Sequence, residues 1–283
     1  MNFDLFIPIA PTYKDLFVNH IDSIVKYIQP AKVVVVAVGA VIDELKQLYP
    51  EHTYIDEDKL VPELTFDYLK TYFEGRNAET KRVGWYFQQF LKMGYALLDS
   101  ANKHYLVWDV DTVPYKRINF FAPDNKIYFS YCSEEHQPYF KTIEHLLGLR
   151  KSFSKSFIVE HMMIDQEIMK ELIDKIAQIN PFLPWFRVIL DAVDSASLSE
   201  SGFSEYETYG TYMYTNYKDR YKPRRISHYR FGEKRFRPFE FKLYSLVYDT
   251  ICFEEWKKRP FVFHLWKFVV SFFRKFSFVQ PNY

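Results

Sequence analysis

The chain has 283 residues, 48% of them hydrophobic and 20% aromatic, with a formal net charge of +1. That length suits one large α/β domain or a domain with an appendage, and that apolar content excludes a disordered polypeptide. Two cysteines, Cys132 and Cys252, give neither a disulfide framework nor a metal-type spacing, which points to a reducing compartment.

The N-terminus, MNFDLFIPIA, starts directly on a strand-like segment, with no charged region ahead of a long apolar one, so no secretory signal is read. Residues 3–10 form a first predicted strand, ended by Pro11-Thr12-Tyr13-Lys14-Asp15. A helix from Tyr13 to Ile28 follows, with Leu16, Ile21, Ile24, Val25 and Ile28 on its inner face. The Val-rich run from Lys32 to Val38 suits a parallel strand covered on both faces. A short helix from Val41 to Tyr49 leads to a third strand at Thr53-Tyr54-Ile55, which ends in Asp56-Glu57-Asp58. This β-α-β-α-β order predicts a doubly wound α/β sheet flanked by helices, whose ligands bind beyond the carboxyl ends of the strands.

The stretch from Tyr105 to Pro114 organises the rest. An apolar run rich in β-formers ends in Asp109 and Asp111, one residue apart, and alternation along an extended chain sets both carboxylates on one side. Paired carboxylates repel unless a cation sits between them, and hard oxygen ligands suit Mg²⁺ or Mn²⁺ holding a diphosphate. The plainer alternative is a strand end running into a solvated turn. Asp15, Asp56 and the Asp109/Asp111 pair all fall on the same predicted sheet edge. The chain has no G-x-G-x-x-G after the first strand and no P-loop, so a nucleotide here needs another cradle.

The segment from Lys81 to Met93 reads as a core helix that carries Gln88, Gln89 and Lys92 as additional polar groups. Arg82 and Lys92 are candidates to pair with phosphate oxygens, against the alternative of a solvated helix face. Ser156 to Met163 reads as a strand feeding a helix from Asp165 to Ile179, with His161 at the junction placed to touch an acceptor, although a lone histidine is more often structural. Farther on, Ser204 with Glu207 three residues later has the pattern of a capping box, which makes Glu207 structural. That leaves Glu205, among tyrosines, as the candidate general base.

Charge is unevenly spread. Residues 1–213 sum to −9 and residues 214–242 to +7, and from Trp256 to the end there are six basic residues and no acidic one. His228 lies in the basic block and offers a nitrogen ligand to the same cation. The block lacks an RNP-type or helix-turn-helix context, so nucleic acid is not an expected partner.

Together, P-I-A-P-T-Y-K-D, the G-W-Y-F-Q-Q-F-L-K helix, the strand-end W-D-V-D and the late F-S-E-Y-E-T-Y-G segment resemble bacterial glycosyltransferases of the GT-A fold, in particular a poorly characterised surface-polysaccharide group. The resemblance covers roughly residues 3–240. It implies a doubly wound mixed sheet of the GT-A type, with a nucleotide-sugar donor at the strand ends. Ala10, Pro11, Thr12 and Asp15 match the loop that lines nucleobase and ribose. Asp56, Arg82, Gln88, Gln89, Lys92, Trp108 and Asp109 are assigned to the donor. Asp109, Asp111 and His228 match the positions that hold Mn²⁺ or Mg²⁺. Glu205 or Glu207 matches the acidic position that deprotonates the acceptor in inverting members. The chain departs from the pattern in having no standard E-D dipeptide for the base, which leaves Glu205 and Glu207 both open, and in having no late H-x-x-G-x-x-K-P-W motif of one retaining group, which favours inversion.

The tail from Phe261 to Phe278 places His264, Lys267, Ser271, Arg274 and Lys275 on one polar stripe of a helix, with apolar and aromatic residues elsewhere. Its basic residues oppose a spanning helix and suit one lying in a membrane interface, with Lys257-Lys258-Arg259 just ahead; the alternative is a helix docked on the body or on another copy. The expected organisation is a catalytic domain over residues 1–242 and a membrane-association segment over 243–283. The expected activity is transfer of a sugar from a nucleotide-diphosphate sugar to a glycan or lipid-linked acceptor at the cytoplasmic face of the cell membrane. The competing readings are a non-catalytic glycan- or membrane-binding protein on the same fold, and a nucleotidyltransferase or phosphohydrolase using the same carboxylates.

Overall fold

The computed structural model describes residues 1–99, 102–231, 238–253 and 261–276. In chain order these form β1 (Asp4–Pro8), α1 (Lys14–Ile28), β2 (Lys32–Ala37), α2 (Gly39–Leu48), β3 (Thr53–Asp56), α3 (Glu57–Leu60), α4 (Phe66–Glu74), α5 (Val83–Gly94), β4 (His104–Trp108), β5 (Thr112–Pro114), β6 (Ile127–Ser130) and α6 (Gln137–Leu147). Then come β7 (His161–Asp165), α7 (Gln166–Ile179), α8 (Trp185–Ala192), α9 (Ser195–Leu198), α10 (Glu205–Tyr217), β8 (Tyr221–Arg224), β9 (His228–Phe231), α11 (Pro238–Ser245), β10 (Thr250–Phe253) and α12 (Phe261–Phe276). Lys257-Lys258-Arg259 and the end of the expected tail helix, Ser277 and Phe278, lie outside the described residues.

The chain divides into two compact units that interleave in sequence. The first comprises Met1–Lys14, Pro30–Asp109 and Phe120–Arg224; the second comprises Asp15–Gln29, Val110–Asn119 and Arg225–Tyr283.

In the first unit a five-stranded sheet runs β3-β2-β1-β4-β7. The first four strands are parallel and β7 is antiparallel to β4, so the expected α/β sheet is present in mixed form. Parallel central strands need cover on both faces, which is why Val33 to Ala37 and Leu5 to Ile7 are almost wholly buried. At the foot of β1, Asp4 is buried and takes hydrogen bonds from Tyr95 Oη at 2.9 Å and Asn102 Nδ2 at 2.7 Å. The predicted Ser156–Met163 strand is displaced: regular pairing starts only at His161 and runs to Asp165, whose carboxylate caps α7 through Glu167 N at 3.1 Å. Ser156 instead exchanges both backbone hydrogen bonds with Cys132 at 3.0 Å.

Helix α10 is buried along most of its length, and Gly210 lets it approach its neighbour. A Cβ on Gly210 would stand 2.3 Å from the Phe157 ring. The aromatic residues are similarly concentrated: the Phe90 ring lies within 6.1 Å of Trp185, Phe186 and Phe203, forming the hydrophobic layer beneath α5.

The second unit holds a three-stranded sheet in the order β5-β10-β9. Helix α1 belongs with it from Asp15 onward: Ser23 Oγ donates to Pro114 O at 3.3 Å and His20 stacks on Phe253 with ring centroids 5.5 Å apart. Cys132 and Cys252 are both free thiols.

Candidate active site

Parallel pairing of β1 with β2 and β4, and of β2 with β3, sets the carboxyl ends of all four strands on one edge. Asp109 follows the last residue of β4 and is fixed by its backbone N, which donates to Glu160 O at 3.0 Å. Helix α5 presents Lys92 to that end. Its ammonium lies 2.8 Å from Asp109 Oδ1 and 2.9 Å from Glu205 Oε1. It also sits 4.6 Å from the centroid of the Tyr206 ring, a cation–π contact. Gln89, one turn earlier, accepts from Glu205 N at 2.9 Å and holds the start of α10 against α5.

The electrostatics follow from burial. The Lys92 side chain is 8% exposed and that of Glu205 is 6% exposed. Burial acts to lower the Lys92 pKa, but the Asp109 and Glu205 carboxylates more than offset it and hold the ammonium well above its ordinary range. Asp109, 33% exposed, is raised: burial is the leading cause, Lys92 opposes it, and the charges of Glu205 and Glu160 add to it. Glu205 and Glu160 thus add negative charge beside the Asp109–Lys92 pair.

Among the described residues no three His, Cys, Asp or Glu side chains converge as a metal cage. The donor chemistry of Asp109 and Asp111 nevertheless fits Mg²⁺ or Mn²⁺, which are commonly held by one or two carboxylates together with substrate phosphates. Asp109 Oδ1 is engaged by Lys92 at 2.8 Å, and Asp111 Oδ1 accepts from Thr112 Oγ1 at 3.4 Å. The extended alternation expected through Asp111 stops at Asp109, because Val110 and Asp111 form a turn into β5.

His228 does not join Asp111. In the second unit His228 is level with Thr250 on β10, whereas Asp111 O accepts from Phe253 N at 2.9 Å, three residues along that strand. At the usual strand rise that is about 10 Å along the sheet, with β10 between them, too far for one ion. His228 Nδ1 lies 2.8 Å from Thr250 Oγ1 instead.

Two residues expected to meet ligand are core residues. Trp108 is fully buried, and His161, 5% exposed, stacks on it at 5.0 Å and shares a 3.1 Å hydrogen bond with Ser130 Oγ. On β4 and β7 they are paired opposite each other, so both rings belong to the sheet's covering layer. Glu207 is also engaged internally: its N bonds Ser204 Oγ at 3.2 Å, completing the predicted cap, and its Oε2 accepts from Ser156 Oγ at 2.6 Å and Phe157 N at 2.8 Å. Burial raises its pKa against those hydrogen bonds.

Of the remaining expected residues, Ala10, Pro11, Thr12, Asp56, Arg82 and Gln88 belong to the first unit and Asp15 to the second. Ala10 is half-buried just beyond β1, and Pro11 and Thr12 are exposed in a short 3₁₀ turn. Asp15, exposed in the first turn of α1, belongs to the second unit. Arg82 and Gln88 are half-buried at and within α5. Asp56 shares the sheet edge but stands three strands from β4, about 14 Å away. It caps α3 through Asp58 N at 3.2 Å and pairs with Lys59 at 3.1 Å. Its neighbour Glu57 is pushed up to about 7, by burial first and then by Asp58 and Asp56.

Glu160 and Tyr206 were not singled out from the sequence. Tyr206 stands between the two glutamates already picked, and its contact with Lys92 depends on the approach of α10 to α5. Glu160 carries no spacing signal, because only the antiparallel pairing of β7 delivers it to Asp109.

The chain is similar to several solved structures. Mouse xyloside xylosyltransferase 1, in its apo form, is similar with a TM-score of 0.51 and 11% identity, covering 92% of this chain and 100% of its own. The galactosyltransferase LgtC, solved with donor and acceptor sugar analogues, has a TM-score of 0.47 and 10% identity over 99% of this chain and 98% of its own. The bifunctional glycosyltransferase WbbM in its apo form has a TM-score of 0.45 and 10% identity over 89% of this chain and 45% of its own. At such identities the likeness concerns fold, and the mouse enzyme supports the mixed α/β architecture expected from the GT-A resemblance. No curated protein matches the chain. The family of unknown function DUF6492 matches residues 17–231, most of the chain, and the protein belongs to that family.

Proposed function

We propose that this protein is a metal-dependent glycosyltransferase that moves a sugar from a nucleotide-diphosphate sugar, with UDP-sugars favoured, to a glycan or lipid-linked acceptor in surface polysaccharide synthesis. The observation that carries the reading is the buried Lys92 ammonium shared by Asp109 and Glu205 at the carboxyl end of β4. That is the edge at which open α/β sheets bind ligands.

Lys92 fixes the Asp109 carboxylate and keeps a positive charge where a diphosphate arrives. Asp111, with Asp109, is the residue pair to hold Mn²⁺ or Mg²⁺, which when bound neutralises charge on the departing diphosphate. Glu205 is assigned as the base that accepts the acceptor hydroxyl proton as the new C–O bond forms, consistent with inversion. Glu207 is left out of that role because it is wholly buried and its Oε2 holds Ser156 Oγ and Phe157 N, away from Lys92 and Asp109. A lipid-linked acceptor sets the work at the cytoplasmic face of the cell membrane.

The test is donor turnover across UDP-, GDP- and CMP-sugars with Mn²⁺. Transfer should be lost in Asp111→Ala and in the presence of chelator. Turnover that survives both defeats the metal role, and release of nucleoside monophosphate or free phosphate without sugar transfer moves the protein to a nucleotidyltransferase or phosphohydrolase class.

A further inference from the structure

Helix α12 has its polarity reversed relative to an ordinary docked helix. The side packed on the second unit carries polar groups: His264, 3% exposed, shares a 2.6 Å hydrogen bond with Tyr229 Oη, and Tyr248 Oη donates to Ser271 Oγ at 3.0 Å. Lys275 Nζ reaches Val247 O at 3.1 Å, and Phe268 adds the apolar contact through Tyr244, with centroids 5.3 Å apart. The opposite side carries Leu265, Trp266, Val269 and Phe273, which are 46%, 55%, 40% and 66% exposed. Successive residues turn by about 100°, so these four share an arc roughly opposite His264, Ser271 and Lys275. A helix that merely completed a soluble body would direct the apolar set inward and the polar set outward.

We infer that this outward face of α12 inserts into the interfacial region of an anionic phospholipid bilayer. The occupant is chosen by charge and length. From Trp256 to the end the chain holds six basic residues and no acidic one, which complements anionic headgroups and opposes pairing with a second copy of the same segment. Lys267, on the edge of the polar stripe, is exposed with its ammonium 5.5 Å from the Trp266 ring, so a cation accompanies that aromatic group. Sixteen residues make a helix of about 24 Å, and among the described residues no helix is long and apolar enough to cross a membrane. The helix therefore lies along the surface, with its polar stripe held by the protein and its apolar stripe given to lipid. The inference supplies the membrane side of the glycosyltransferase reading but does not rest on it.

The experiment is flotation of the full chain with vesicles of phosphatidylcholine alone or mixed with phosphatidylglycerol. The chain should float with the mixed vesicles, less so at high salt, and Trp266→Glu combined with Phe273→Glu should weaken binding at least about tenfold while leaving the melting temperature unchanged. Lys267→Glu should weaken binding to the anionic vesicles more than to the neutral ones. Unchanged flotation of the double variant overturns the inference. So does a wild-type chain that ignores both vesicles and instead forms a concentration-dependent dimer lost in the double variant, which would give the face to a second copy. Because flotation requires no turnover, absent sugar transfer with intact vesicle binding removes the enzymatic reading alone, and the reverse result removes this one alone.

Discussion

Lys92 Nζ lies 2.9 Å from Glu205 Oε1, joining the end of α5 to the start of α10 through a buried ion pair. The same ammonium serves Asp109 at 2.8 Å, so two carboxylates depend on one cation. Removing it leaves carboxylates in a poorly solvated site, which is far more unfavourable than never having built the pair. Lys92→Met is expected to destabilise the fold by about 3 kcal/mol in urea denaturation, and Lys92→Arg, which keeps the charge, to recover part of the loss.

The two glutamates of α10 should separate by the kind of damage their substitution does. Glu205→Gln is expected to lower kcat by about 10²–10⁴-fold if it is the base, while Lys92 keeps Asp109 as its partner at 2.8 Å. Glu207→Gln should act mainly on stability, by about 1–3 kcal/mol, since it weakens charge-assisted bonds to Ser156 Oγ and Phe157 N inside the protein. Paired steady-state kinetics and denaturation curves decide between them; equal kinetic losses without a stability change in Glu207→Gln would return that residue to the site.

Gly210 is a packing glycine. A methyl group there meets the Phe157 ring at 2.3 Å, so Gly210→Ala is expected to cost about 1–3 kcal/mol despite the better helix propensity of alanine. Phe157→Leu in the same chain should return part of it, read as a shift in melting temperature.

His20 predicts an acid limb. Burial lowers its pKa to about 4 from 6.5, and its ring stacks on Phe253. The folded state holds it neutral while the unfolded chain takes up a proton near 6.5, so stability is complete above that value and falls as pH drops toward 4. The loss attributable to it is at most about 3 kcal/mol, and His20→Gln should flatten the dependence in denaturation curves taken across that window.

Much of the architecture was legible because burial imposes a period. The Val-rich β2, the apolar β1 and the run ending at Trp108 are strands because parallel sheets need both faces covered, and Ser204 with Glu207 is a cap because their spacing matches one helical turn. Asp109 and Lys92 were picked by type and position, and they meet. Sequence periodicity was blind to pairing across the chain. It did not show that His161 and Trp108 would stack on each other in the core, that Glu160 would arrive beside Asp109 on an antiparallel strand, or that His228 and Asp111 would be set three residues apart on β10. Those outcomes depend on strand register and on which helices approach closely, interactions between residues far apart in sequence.

The tail shows the division most directly. The sequence determined that residues 261–276 make an amphipathic helix with a basic, aromatic character, because composition and a 3.6-residue period suffice for that. Only the tertiary structure decided which stripe is occupied. Tyr229, Tyr248 and Val247 offer hydrogen-bonding partners to His264, Ser271 and Lys275, so the polar side is held within the second unit and the apolar side is left facing outward.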